Sequence, residues 1–564
     1  MSSNHRDNPL IVQGDYTILV EVDSPRYKEA RDALARFAEL VKSPEHVHTY
    51  RITPLSIWNA CAAGVEAGWI ARTLREFSKY DVPQHVETEI ASYAARYGKL
   101  KLVRDDRGLV LVADSHPLAE ELAHHDGVSA LFDRRVSNRE FMIDPDQRGR
   151  LKQTLIKVGY PIEDLAGYRP GEKLRIGVRA TTRGGLPFRL REYQSEAAEV
   201  FHAGGTTRGG SGVIVLPCGA GKTIVGLACM AQLQTSTLVL TTNVTATRQW
   251  IGELLDKTTL PEDAIGEYSG HAKEIRPVTV ATYNILTWRA SREEDFQHLD
   301  LFDQRDWGLI IYDEVHLLPA PVFQVTAGLQ ARRRLGLTAT LVREDGREDD
   351  VFALIGPKKV DVPWKVLEHQ GWIATAQCHE IRVPTPERMK MDYAVAPKRQ
   401  KFRIAAENPD KASVVRRILE RHPDEQTLII GMFVDQIKEL ADELGIPLIV
   451  GSTRQKRRDE LFESFKSGEI RLLAVSKVAN FAVDLPDASV AIQISGTFGS
   501  RQEEAQRLGR ILRPKPGANQ AHFYSVVSRD TVEQDFALKR QLFLCEQGYQ
   551  YHIHDLDRAD LSVL

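Results

Sequence analysis

The chain has 564 residues, 42% hydrophobic and 27% charged, with a formal net charge of −3. That length exceeds what one hydrophobic core organises, so about three or four domains are expected. A protein that grips nucleic acid with its whole surface is basic, so a DNA-binding chain of this charge must use a local basic track. The first residues, MSSNHRDNPL, are polar and contain no apolar signal core. No apolar run reaches the roughly 18 residues of a membrane span. The five cysteines, Cys61, Cys218, Cys229, Cys378 and Cys545, include no C-x-x-C pair. That pattern disfavours a disulfide framework or zinc ribbon and leads us to expect a reducing, cytoplasmic setting.

Tyr16 to Val22 alternates as a strand does. Arg26 to Val41, Leu55 to Ala67 and Trp69 to Tyr80 carry helical spacing. Lys99 to Val103 and Leu109 to Val112 flank Asp105-Asp106-Arg107-Gly108, a predicted hairpin. We expect a mixed α+β N-terminal domain over 1–112 and a small domain over 113–182, with a boundary at Arg183-Gly184-Gly185. From Leu190 short apolar strands alternate with amphipathic helices: Val213 to Leu216, Thr237 to Leu240, Val278 to Ala281, Leu309 to Tyr312 and Leu335 to Leu337. The rhythm resumes with Leu428 to Ile430, Leu448 to Val450, Leu472 to Val475, Val490 to Ile494 and His522 to Val526. The predicted fold class is therefore α/β, with two parallel-sheet lobes at 183–366 and 367–564. The glycine-rich stretch 204–212 precedes a strand and reads as a surface loop.

Leu216-Pro217-Cys218-Gly219-Ala220-Gly221-Lys222-Thr223 follows a predicted strand and opens a helix. Its glycines let backbone N–H groups approach phosphate, and the helix N-terminus favours negative charge. Lys222 is the candidate for the β/γ-phosphates and Thr223 for Mg²⁺. Leu216 stands where the full phosphate-loop pattern has glycine. Asp313-Glu314-Val315-His316 ends an apolar strand about 90 residues later. Asp313 is the candidate Mg²⁺ ligand, and Glu314 the group that orients and deprotonates water. In Gln506-Arg507-Leu508-Gly509-Arg510-Ile511-Leu512-Arg513, Arg510 and Arg513 share a helical face. Such arginines suit γ-phosphate charge, and the second repeat has no phosphate loop of its own. Arg191 and Gln194 precede the loop by about 25 residues, and the Gln194 amide suits an adenine edge. His46, His48, His124, His125, His552 and His554 show no ligand spacing and are expected to be structural or superficial.

Together these motifs resemble the XPB helicases, the xeroderma pigmentosum group B type within superfamily 2. The resemblance rests on LPCGAGKT, with Cys218 in a favoured position, and on GLTATLVRED, which contains Thr338-Ala339-Thr340 and Arg343-Glu344-Asp345. It extends to Val475-Ser476-Lys477-Val478, Asp484-Leu485-Pro486 and Gln493-Ile494-Ser495. It also takes in Ser500 to Ala505, running into Gln506, and the N-terminal stretches Ser43 to Tyr50 and Tyr97 to Leu100. The resemblance implies two RecA-like lobes, a damage-recognition-like domain over 113–182, a thumb near 386–408 and a compact prokaryotic form. It implies ATP and Mg²⁺ as cofactors, 3′-to-5′ DNA unwinding and nucleotide excision repair. The implied partner is single-stranded, forked or damaged DNA, with a repair nuclease as a further candidate. Implied DNA contacts are Thr242, Asn243, Arg248, Thr282 and Tyr283 in the first lobe and Ser452, Thr453, Ser476 and Lys477 in the second; Arg343, Glu344 and Asp345 are implied in unwinding. Three alternatives stay open from the residues themselves: a duplex translocase without strand separation, an RNA helicase, and an ATPase that only switches a complex between conformations.

Overall fold

The computed structural model describes residues 7–42, 46–206, 208–289, 297–329, 332–339, 348–362, 364–476, 488–496, 504, 507–509, 511–512, 519–546 and 548–556. The chain divides into two compact units, with the main division after Val362.

The first unit opens with β1 (Leu10–Val12), β2 (Thr17–Glu21), β3 (Glu39–Lys42) and β4 (Val47–Arg51), ordered β1-β2-β4-β3. Ile18, Val20 and Tyr50 point into its core, the alternation expected of a half-buried sheet. The helix expected over 26–41 runs only from Tyr27 to Leu34. Beyond it Phe37 turns into the core and Glu39–Lys42 becomes an edge strand, so tertiary burial overrides helical spacing there. Three helices follow, Pro54–Ala62, Ala67–Phe77 and Gln84–Arg96, the last not foreseen.

A second antiparallel sheet contains β5 (Leu100–Asp105), β6 (Gly108–Ala113), β7 (Arg134–Arg135), β8 (Glu140–Ile143) and β9 (Ile162–Asp164), ordered β7-β8-β6-β5-β9, with β9 parallel to β5. The predicted hairpin is β5–β6, closed at Gly108 with φ of 129°. It lies at the centre of this sheet. The division expected at 112 therefore cuts through one sheet, and the hairpin belongs with the residues that follow it.

β10 (Ser211–Val215), β11 (Thr237–Thr241), β12 (Ile265–Tyr268), β13 (Val278–Thr282), β14 (Leu309–Asp313), β15 (Arg333–Thr338) and β16 (Lys358–Asp361) form a parallel sheet, ordered β12-β13-β11-β14-β15-β10-β16. Its central strands are covered on both faces, which is why they read as unbroken apolar runs. The edge strands β12 and β16 lack such runs and were not foreseen.

The second unit repeats the architecture. β17 (Thr375–Val383), β18 (Thr427–Ile430), β19 (Leu448–Ile449), β20 (Leu472–Val475), β21 (Val490–Gln493), β22 (Gln520–Ser528) and β23 (Tyr551–Asp555) run parallel in the order β19-β20-β18-β21-β22-β17-β23. The stretch 386–408 contains two helices, Glu387–Val395 and Lys398–Ala406. The two parallel sheets agree with the α/β expectation. Among the described residues no helix is long and apolar enough to cross a membrane.

Candidate active site

β10, an inner strand of the first parallel sheet, carries the phosphate-loop sequence at its C-terminal end, and the helix Lys222–Leu233 departs from it. Leu216 is still core: its side chain is buried and its N–H donates to the Thr338 carbonyl at 3.0 Å. A glycine is unnecessary there because the backbone is still completing the strand. Gly219 and Gly221 have φ of 79° and 81°, the left-handed region that favours glycine. A Cβ at Gly221 would also stand 2.6 Å from Gln194 Nε2. The loop thus leads into a helix whose first N–H groups lack intrahelical acceptors, an anion-binding arrangement.

Gln194 is buried against this turn. Its Oε1 accepts the Arg191 N–H at 3.0 Å, capping the helix Glu192–His202. The amide expected at an adenine edge is therefore engaged in holding the helix start beside Gly221.

The carboxylate pair sits at the C-terminal end of β14. Lys222 Nζ lies 3.4 Å from Glu314 Oε1. Glu314 adopts the left-handed φ of 50°, an uncommon conformation outside glycine and a form of strain that tends to gather at functional sites. His316 Nδ1 stands 2.7 Å from Thr338 Oγ1 and 3.5 Å from Glu314 Oε2. Trp250, on the helix Val244–Lys257, donates its Nε1–H to Asp313 Oδ2 at 2.9 Å. Tyr283 donates its hydroxyl to the Asp313 carbonyl at 3.0 Å. Burial, reinforced by the Glu314 charge, pushes the Asp313 carboxyl up to about 6, against the Trp250 hydrogen bond. Burial also opposes ionisation of Glu314, but Lys222 and His316 outweigh it and hold that carboxyl below its ordinary value. Two adjacent acids are thereby pushed apart, one reluctant to ionise and one held ionised.

The structure brings together Lys222, Asp313, Glu314 and Gln194, with Thr223 one residue into the helix. It adds Trp250, Tyr283, His316 and Thr338 as positioning groups. Only the D-E-V-H spelling pointed to His316, and no local signal pointed to Trp250.

Of the expected DNA contacts, Arg248 is exposed and lies 3.6 Å from Glu267, Thr242 is half-buried, and the Asn243 side chain caps its helix through the Ala246 N–H. Thr282 and Tyr283 require correction. Both are only 3% exposed, Thr282 accepts the Ile285 N–H, and Tyr283 serves Asp313, so the polar groups expected to face DNA are turned inward. In the second unit Ser452 is exposed and the Thr453 hydroxyl accepts the Val450 N–H. Ser476 is 1% exposed, a second correction of the same kind. Lys477, Arg343, Glu344, Asp345, Gln506, Arg510 and Arg513 lie outside the described residues.

Residues 367–560 match the family described as ERCC3/RAD25/XPB C-terminal helicase, 187–343 the type III restriction enzyme res subunit, and 10–137 a helicase conserved C-terminal domain. The chain is 54% identical over 552 residues to the DNA 3'-5' helicase XPB of Mycobacterium tuberculosis, covering 98% of each chain. It is 54% identical over 558 residues to the protein of that name from Kineococcus radiotolerans, covering 99% of this chain and 98% of the relative. A more distant relative is the general transcription and DNA repair factor IIH helicase/translocase subunit XPB of Enterocytozoon bieneusi, 32% identical over 571 residues, covering 98% and 93%.

Proposed function

The chain belongs to the XPB helicase family, and on that premise we propose that it is a DNA-dependent ATPase that drives 3′-to-5′ strand separation in DNA repair, nucleotide excision being the pathway the resemblance implies. The observation that carries this is the Lys222–Glu314 pair, 3.4 Å apart, beside the half-buried Asp313 and the amide-lined start of the helix Lys222–Leu233.

The chemistry follows from these side chains. Helix-terminal N–H groups and the Lys222 ammonium bind phosphate oxygens of ATP. Lys222 then exchanges its contact with Glu314 for phosphate. That frees a carboxylate, held ionised, to orient a water molecule and take its proton. Thr338 fixes the His316 ring beside Glu314. Thr223 and Asp313 would hold Mg²⁺; a half-buried carboxyl pushed up to about 6 is one that a nearby dication strongly favours in its ionised form. When bound, the ion neutralises charge on the phosphates. Trp250 and Tyr283 hold Asp313 in place for that task. Arg510 and Arg513 are retained from the sequence alone as the γ-phosphate arginines, and Arg343-Glu344-Asp345 as the unwinding element.

The test is ATP turnover with no DNA and with single-stranded, duplex and forked DNA, paired with fork unwinding. DNA should stimulate turnover. Lys222→Ala should abolish it, and Glu314→Gln should bind ATP while losing about 10²-fold or more in rate. Near-normal turnover in either variant, or indifference to DNA, overturns the proposal.

A further inference from the structure

The second unit assembles a histidine cluster that plays no part in the motifs above. Parallel register sets His379 of β17 opposite Tyr524 of β22 and His552 of β23. Side-chain alternation brings His522 and His554 to the same face. The His379 ring stacks on Tyr524 with centroids 4.8 Å apart, and its Nδ1 is 3.2 Å from His554 Nε2. His422, just past the helix Lys411–Arg421, covers this face. Its ring centroid lies 4.7 Å from that of His522, its Nδ1 2.8 Å from Glu425 Oε1 and its Nε2 2.9 Å from the Tyr524 hydroxyl.

We propose that His422, Glu425 and His522 form a binding site for a divalent transition-metal ion of the zinc type. One donor atom from each lies within 4.8 Å of the other two. Metal–ligand bonds of about 2.0–2.2 Å place tetrahedral donors roughly 3.5 Å apart, so small side-chain rotations close the site. Two imidazoles and a carboxylate suit zinc, cobalt or nickel rather than magnesium, which prefers an all-oxygen shell. His422 is buried whereas Glu425 and His522 are half-buried, which fixes one ligand and leaves the other two partly open to solvent.

Hydrogen bonds to Glu425 and Tyr524 alone would satisfy His422 as a core residue. They do not account for His522 packed on the same ring, nor for three further imidazoles on the adjoining strands. Burial, followed by the neighbouring imidazoles, lowers His379 to about 4, and burial, His552 and Arg421 lower His554. Neutral rings with available lone pairs are what a metal requires. With His422 Nδ1 on the metal, its remaining ring proton sits on Nε2 and is donated to Tyr524.

The experiment is Zn²⁺ and Co²⁺ titration of the full untagged chain in excess Mg²⁺ without nucleotide, read by calorimetry and by the Co²⁺ visible bands. One ion per chain is expected. Glu425→Gln, His422→Gln and His522→Gln should each weaken it by at least the roughly 10–100-fold that losing even an outer-shell partner costs, while His552→Gln leaves both affinity and ATP turnover unchanged. If His422→Gln fails to fold, the half-buried His522→Gln decides. The proposal is overturned by the absence of saturable micromolar binding in the wild type, by unchanged affinity in His522→Gln, or by loss in His552→Gln alone.

Discussion

Trp250→Phe removes a side-chain hydrogen bond that the structure gives to the Asp313 carboxylate. The indole is buried, its Nε1 is 2.9 Å from Asp313 Oδ2, and its far edge is clamped against the helix Lys222–Leu233, where a Cβ on Gly226 would come within 2.5 Å of it. Phenylalanine keeps an aromatic ring and removes the N–H. A hydrogen bond to a charged group contributes about 1.5–3 kcal/mol, which is roughly 10–100-fold in an equilibrium that requires ionised Asp313. That carboxyl already stands at about 6 through burial and Glu314, and losing its donor raises it further. The assay is a Mg²⁺ titration of DNA-stimulated ATPase at fixed ATP, alongside nucleotide binding without Mg²⁺ and a thermal melt. The Mg²⁺ midpoint should rise by about tenfold or more, with Mg²⁺-free nucleotide affinity unchanged. A folded variant with a wild-type Mg²⁺ midpoint would refute the role given to Trp250 and, with it, the assignment of Asp313 as a metal ligand.

Two further outcomes concern stability. His48 is 6% exposed, meets the Tyr27 hydroxyl at 3.0 Å and is held at about 4 by burial. Its folded value lies below the unfolded one of about 6.5, so stability is complete above pH 6.5 and falls by about 2–3 kcal/mol towards pH 4; hydrogen exchange of β2 and β4 should follow this in the wild type and not in His48→Gln. In the second unit Lys411 Nζ lies 2.8 Å from both Glu533 oxygens and from the Ile494 carbonyl, almost free of solvent. Lys411→Met strands the Glu533 charge and should cost about 3–5 kcal/mol in urea unfolding, most of it recovered in the double variant with Glu533→Leu; equal stability of the single variant and the wild type would contradict this.

The candidate catalytic motifs were legible because their determinants are local. Gly219 and Gly221 adopt backbone angles that other residues resist, and β10, β11, β13, β14 and β15 announce themselves as apolar runs because both faces are covered. Lys222, Asp313 and Glu314 could be placed from strand ends alone. β16, spelled Lys358-Lys359-Val360-Asp361, and β23, spelled Tyr551-His552-Ile553-His554-Asp555, could not, since edge strands keep polar faces. Thr282, Tyr283 and Ser476 were expected to face DNA because the family resemblance implied it, whereas the fold buries all three.

The sequence by itself determined the two-lobe α/β plan and singled out the phosphate-loop sequence and the lysine and acids proposed for hydrolysis, since backbone conformation and burial periodicity act over a few neighbouring residues. Only the tertiary structure decided that the hairpin at 100–113 joins strands as far on as Asp164, that Trp250 reaches Asp313, and that His422, Glu425 and His522 converge. Those contacts arise from strand pairing and helix packing between segments from about 20 to 100 residues apart, and no local pattern encodes which distant side chains a shared sheet face will bring within bonding distance.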